Sequence, residues 1–377
     1  MTSNKALKTD RRTYTKSLAA IGLGAALAIG GGSYYYYSTR KGRGAAETEK
    51  PSTLRVRAWG GGWAEGLKEG VIEPFTEKYG IKVELDYTED NVLQAKLREI
   101  IPAGGEPPVD VNWTTTTNAM REALWGFASP IMEEDLTHLD ELHEAAYPER
   151  IEGIEGLPFI NVYSYTYSLA YDTEKVPEKP KSWRILWEPE YRRSVAMYDD
   201  GIGFFAVLAK LSGAKIPDDM EPAWKLLREL KPNIAFVGED PDLTQGFVER
   251  QVALECTIPT NALEAKRAGA PVAWTVPEEG VTMENDAMYV PRNLPRNRDY
   301  WAKKFIDMAI SPEGQSKWCE YLGCPPVNRN AEIPEYMEDD PAFPTSKEDY
   351  EKMLIIPYRI LVEHEKDWFA KFEEIMG

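Results

Sequence analysis

The chain reads as an α/β protein, and three observations carry that reading. Residues 54–127 alternate between strand-like and helix-like periods, and residues 182–276 do so again. A return strand near residues 287–290 then precedes C-terminal helices, and an apolar segment stands ahead of the whole set, outside the fold.

That apolar segment comes first in the chain. Asp10-Arg11-Arg12-Thr13-Tyr14-Thr15-Lys16 follows the twin-arginine export pattern, and a Gly/Ala-rich run follows over residues 18–37. The run is roughly 20 residues, enough to span a bilayer. No cysteine follows it, so a lipoprotein anchor is excluded. Ala45-Ala46 is a poor cleavage site, set beyond Tyr34, Tyr35, Tyr36 and Tyr37, which read as an interfacial aromatic belt. The expectation is a signal or membrane anchor over residues 1–40, cleaved late or not at all. A tether over residues 41–53 would then hold the folded body outside the membrane.

The folded body opens on a βαβ unit. Leu54, Val56 and Ala58 alternate with Arg55 and Arg57, as in a half-buried strand; Leu67, Val71 and Phe75 then fall four apart along one helix face. Gly80 sits where a helix C-terminus favours a left-handed residue, and Ile81, Val83 and Leu85 alternate again. The Trp59-Gly60-Gly61-Gly62-Trp63 turn lies at the carboxyl end of the first strand, where open α/β sheets bind ligands. A helix over residues 91–100, a strand over 109–113 and a helix over 119–127 follow, with Thr114, Thr115, Thr116, Thr117 and Asn118 as a hydroxyl-rich cap. The strand over 161–171 places Tyr163, Tyr165 and Tyr167 on one face, where they would pack a hinge.

Composition narrows the function. The 377 residues hold 44 Lys/Arg and 62 Asp/Glu, a net charge of −18. The first 53 residues contain nine of the basic and three of the acidic groups, so the remainder carries 35 against 59, or −24. Such a surface repels nucleic acid. His138, His143 and His364 are scattered, leaving little for histidine-based catalysis. Cys256, Cys319 and Cys324 have no metal-ligand spacing; Cys319 and Cys324 could bridge around a helix end outside the cell, or all three could be buried thiols. No cofactor or metal is expected, since paired tyrosines alone offer iron too few hard ligands.

Several stretches occur together in one order: Trp59; Val71-Ile72-Glu73-Pro74-Phe75 with Tyr79-Gly80-Ile81; Asp110-Val111 and the threonine run; Ser182-Trp183 with Leu186-Trp187-Glu188-Pro189; Ala265-Lys266-Arg267-Ala268-Gly269; Asp286; Ser311-Pro312-Glu313; and Pro325-Pro326-Val327-Asn328. In this, residues 54–330 resemble solute-binding proteins of ABC importers, of the spermidine/putrescine-binding type. The resemblance implies a two-lobed periplasmic-binding-protein fold of type II, with a ligand cleft between lobes that close by hinge motion. Lobe 1 would span residues 54–162 with 287–340, lobe 2 residues 163–286, and further C-terminal helices residues 341–377. It also implies an ABC permease and ATPase as partners, a small solute as ligand and a monomeric state.

Carried over residue by residue, the resemblance implies a ligand site from Trp59, Gly61, Trp63, Trp113, Thr114, Thr115, Asp200, Glu255, Glu284 and Asp286, with Asp286 as the amine anchor. Polyamines need carboxylates for ammonium groups and aromatic faces for methylenes. The pattern departs from the family at Gly203, where a second acid is expected, at Ile258 and Glu284, near site tryptophans, and at Cys324, where a tyrosine is expected. Each candidate has a structural alternative. Asp200 could only cap the following helix, Trp59 and Trp63 could pack a lobe, Trp113 could be core, and Glu284 and Asp286 need a regular strand to share a face. Two other functions stay open: a hydrolase using Glu284 and Asp286, or an anion binder at the helix N-terminus after Asp200-Gly201-Ile202-Gly203.

Overall fold

The computed structural model describes residues 49–345 and 347–377. The twin-arginine motif, the apolar run and most of the tether lie outside the described residues. No helix among those described is long and apolar enough to cross a membrane.

β1 (Thr53–Arg57) pairs in parallel with β2 (Lys82–Asp86) on one side and β3 (Val111–Thr115) on the other. The connection from β1 to β2 is α1 (Gly62–Leu67), a wide π turn (Lys68–Ile72) and α2 (Glu73–Tyr79), rather than one regular helix. Residues four apart drift by about 40° per step around a regular α-helix. The wider turn removes that drift, so Leu67, Val71 and Phe75 all remain buried. Gly80 closes α2 in the left-handed conformation its position predicts.

After α3 (Asp90–Ile100), β3 runs two residues further than its expected span, and α4 (Thr116–Leu124) starts three residues early. Thr114 and Thr115 are β-branched and settle in the strand. The Thr115 hydroxyl then caps α4 by accepting the Asn118 N–H at 3.2 Å.

The strand that organises the molecule is β4 (Ile160–Asp172), buried at each of its 13 residues. From Ile160 to Tyr167 it pairs antiparallel with β9 (Val281–Tyr289). From Ser168 to Asp172 it pairs antiparallel with β7 (Leu254–Thr257) and β8 (Val272–Thr275). With β5 (Val195–Tyr198) and β6 (Ile234–Gly238) added, the strand order is β2-β1-β3-β9-β4-β7-β5-β6. One half-sheet, β2-β1-β3-β9, therefore meets a second, β7-β5-β6, along a strand that belongs to both. β9 begins at Val281 rather than near residue 287, because its pairing with β4 carries it back toward the second half-sheet.

The second half carries α5 (Phe205–Ser212), α6 (Glu221–Leu230), α7 (Asp240–Val248) and α8 (Pro259–Arg267). α9 (Arg296–Ala309) and α10 (Pro312–Leu322) return to the first half, where α10 packs on α1 and the π turn. The last helix, α11 (Tyr358–Met376), packs on α4 of the first half and on α6 of the second. Its buried stripe is Leu361, Glu365, Trp368, Phe372 and Ile375. Cys256, Cys319 and Cys324 are all buried free thiols.

Candidate functional site

Where the crossing strands pass between the two halves, rings and carboxyl groups share one face. Antiparallel register sets Tyr163 opposite Asp286, Tyr165 opposite Glu284 and Tyr167 opposite Thr282. Glu284 and Asp286 thus do share a face, because β9 is regular there. The rings form a ladder: Tyr163 to Tyr165 at 5.7 Å, Tyr165 to Tyr167 at 5.5 Å, and Tyr167 to Tyr198 of β5 at 5.6 Å. At the other end Trp63 meets Tyr163 edge-on at 5.2 Å, and Trp59 meets Trp113 edge-on at 5.0 Å. The ladder therefore runs from the first-strand turn to the second half-sheet.

Trp113 is fully buried, with the edge of Trp318 against it at 4.9 Å, so it supports the turn from below. Trp59 and Trp63 are half-buried above it, and Gly61 is exposed at φ 61°. The two threonines serve the protein itself. Thr114 donates to Asp90 Oδ1 at 2.9 Å, and Thr115 caps α4.

The carboxyl groups lie close enough to act on one another. Tyr165 donates its hydroxyl to Asp286 Oδ1 at 3.3 Å. Burial pushes the Asp286 carboxyl well above the ordinary aspartate range, and the neighbouring Asp90 adds to this. Arg57 and the Tyr165 hydroxyl act in the opposite sense. Burial likewise raises Glu284 well above its ordinary value, helped by Glu365, Asp200 and Asp286. Asp200 is pushed up to about 6, again chiefly by burial, although its Oδ1 accepts the Ile202 N–H at 2.8 Å. Each of these carboxyls lies in the field of another acid, which disfavours their joint ionisation.

Two guanidiniums meet members of this group. Arg57 is 1 % exposed; it donates to Thr88 O and Trp113 O, pairs with Asp90 at 2.9 Å and lies 4.5 Å over the Trp59 ring. Arg121 of α4 pairs with Glu365 of α11 at 3.0 Å. Alternation in the sequence places Arg57 on the outer face with the exposed Arg55, but Thr88, Asp90, Trp113 and the Trp59 ring cover it at the end of β1. Glu365 also escapes a reading by family position. Its signal is an acid inside the apolar stripe of an amphipathic helix, between Leu361 and Trp368.

Glu255 needs correction. Its side chain shares a face with Ala170 and Ala196 and lies under α7, where a Cβ on Gly246 would come within 2.8 Å of its Oε1. It is fully buried in the second half, and neither oxygen has a hydrogen-bond partner among the described residues. Burial alone raises its carboxyl well above the ordinary glutamate range. The departure at Gly203 has a steric reason: at φ 79°, a Cβ there would come within 2.0 Å of the Tyr167 ring, so no acid fits.

These rings and carboxyl groups are buried where the two α/β halves meet. Residues 70–345 match the family described as bacterial extracellular solute-binding protein. The chain belongs to that family. It is 28% identical over 301 residues to the spermidine/putrescine-binding periplasmic protein of Salmonella typhimurium, covering 76% of this chain and 82% of the relative. It is 22% identical to the gamma-aminobutyric acid-binding protein of Pseudomonas aeruginosa, covering 87% and 92%. Among solved structures, an ABC transporter substrate-binding protein from Bradyrhizobium japonicum superposes with a TM-score of 0.72 at 19% identity, covering 85% of this chain and 99% of that one. A spermidine/putrescine ABC transporter substrate-binding protein from Streptococcus pneumoniae gives 0.69 at 19%, covering 87% and 100%. The fold of this solute-binding protein is thus the two-lobed periplasmic-binding-protein fold expected from the sequence, and its relatives are binders of solutes rather than enzymes.

Proposed function

We propose that this solute-binding protein captures a polyamine-like amine outside the cytoplasm and delivers it, by closure of its lobes, to the permease and ATPase of an ABC importer. One observation carries the reading. Asp90, Asp200, Glu284, Asp286 and Glu365 bear on one another where the two halves meet, and among the described residues Arg57 and Arg121 are the cations paired with two of them. A bound polycation would restore charge balance there, and the tyrosine ladder offers faces to its methylenes. Trp59 and Trp63 form the wall at the first-strand turn, with Gly61 leaving room between them. The lobes are residues 54–162 with 287–340, and 163–286. The protein acts as a monomer, exported through its twin-arginine motif and held by residues 18–37.

An anion at the turn before α5 is disfavoured, because Asp200, Glu284 and Glu365 all bear on that turn. The test is titration of the purified full chain with putrescine, spermidine, gamma-aminobutyric acid and inorganic phosphate, followed by thermal shift. A ligand at 100 times its dissociation constant adds about 2.7 kcal/mol of stability. The expected result is a shift with the polyamines that Asp286→Asn abolishes. A shift with phosphate alone overturns the reading.

A further inference from the structure

A crevice opens beside Glu284, between Ile202 and Phe205 at the start of α5 and Leu361, Glu365 and Phe369 of α11. Its walls are mostly apolar, yet two polar side chains of β9, Glu284 and Thr282, line it. Glu284 is 7 % exposed, and no hydrogen bond from a described residue reaches its carboxyl. Thr282, two residues earlier on the same face, is 2 % exposed, and its hydroxyl also lacks a partner among the described residues. The Thr282 hydroxyl is buried and unpaired and the Glu284 carboxyl lines the same crevice, so together they mark a place that something else completes. Glu365 enters the crevice from α11, held by Arg121 Nη2 on its Oε2.

We infer that Glu284, Glu365 and Thr282 form a second ammonium subsite, separate from the one at Asp286 and completed by the C-terminal helix. This rests on the amine reading above and narrows it. Same-face neighbours on a strand stand about 6.6–6.8 Å apart, so Asp286 and Glu284 suit the two head groups of a short linear diamine. The methylenes between them would lie along Tyr165, with Leu361 and Phe369 closing the crevice behind the second head. An amine whose other end is a carboxylate would place that group among acids. The ligand class is therefore a linear di- or triamine, and an amino acid of similar length is rejected.

The experiment is isothermal titration of the full chain with spermidine, putrescine and the monoamine butylamine, for the unmutated protein and for Glu284→Gln, Glu365→Gln and Asp286→Asn. Loss of a charge-assisted hydrogen bond should weaken spermidine and putrescine at least about tenfold in each glutamine variant. Butylamine should lose much less affinity than the diamine in those two variants, while Asp286→Asn weakens all three ligands. Intact circular dichroism and a cooperative melting transition show that the variants fold. If the glutamine variants bind the diamine normally, or lose monoamine and diamine equally, the second subsite is wrong and the amine reading stands. If the unmutated chain binds no amine, both fall.

Discussion

Arg121 and Glu365 meet at 3.0 Å with side-chain exposures of 8 % and 11 %, joining the helix that follows β3 to the last helix of the chain. Arg121 also donates to Asn118. Removing one partner of a mostly buried pair strands the other charge and costs about 3–5 kcal/mol. Arg121→Met should lower stability by that order in a denaturant titration at neutral pH. Adding Glu365→Gln to it should recover part of the loss, since the stranded charge is then gone. Equal stability of the single and double variants would show that the pair is not what Arg121 contributes.

The group of raised carboxyls makes ligand-free stability depend on pH in a stated direction. Burial moves Asp200 from an ordinary 3.8 to about 6 in the folded protein, with Asp199 and Glu365 adding to it. Burial also raises Glu284 well above the ordinary glutamate value, with Glu365, Asp200 and Asp286 acting in the same sense. A folded pKa above the unfolded one contributes stability that is complete below the unfolded value and is lost as pH rises through the folded value. The ligand-free melting temperature should therefore rise from about pH 8 to about pH 5. Cation affinity should fall over the same window, because binding requires ionised acids. Proton release on binding, read by calorimetry in buffers of different ionisation enthalpy, checks both at once.

Trp59 and Trp113 meet edge-on but should answer differently to truncation. Trp113 is fully buried against Trp59, Trp63 and Trp318, so Trp113→Ala should destabilise by about 3–5 kcal/mol. Trp59 is half-buried on the turn, and Trp59→Ala should leave the melting temperature within a few degrees while weakening amine binding about tenfold. Affinity unchanged in Trp59→Ala would remove the turn from the cleft wall.

Glu255 offers a control for the site. Its oxygens are without partners in the second half, so Glu255→Met should raise stability by about 1–3 kcal/mol at neutral pH. Solute affinity should not change, because the side chain lies under α7 and outside the group of interacting carboxyls. A loss of affinity would return Glu255 to the site.

The order of strands and helices could be read from alternation and from four-residue spacing, because each half buries one stripe per element. The resemblance pointed to Asp286 and Trp59 as candidates, and the pairing of β9 with β4 explains how Asp286 and Glu284 come to one face. Arg57 was not legible, since alternation pairs it with the exposed Arg55 and cannot show that Thr88, Asp90 and Trp59 close over one of the two. Asp90 and Glu365 were missed for another reason. Acids become significant there only when α3 and α11 are folded onto β9, and no spacing along the chain encodes that meeting. Glu255 drew attention because it lies three residues before Ile258, which stands near a site tryptophan of the family, while strand pairing turns the glutamate toward α7.

β4 has a consequence for how the molecule moves. One continuous strand threads both halves and is buried along its whole length. Closure on a solute cannot be taken up by a loose joint there. It must be taken up as twist, shared over the hydrogen bonds that β4 makes with β9. The amides of β4 should therefore exchange with water more slowly than those of the exposed loops, and hydrogen exchange should register opening apart from unfolding.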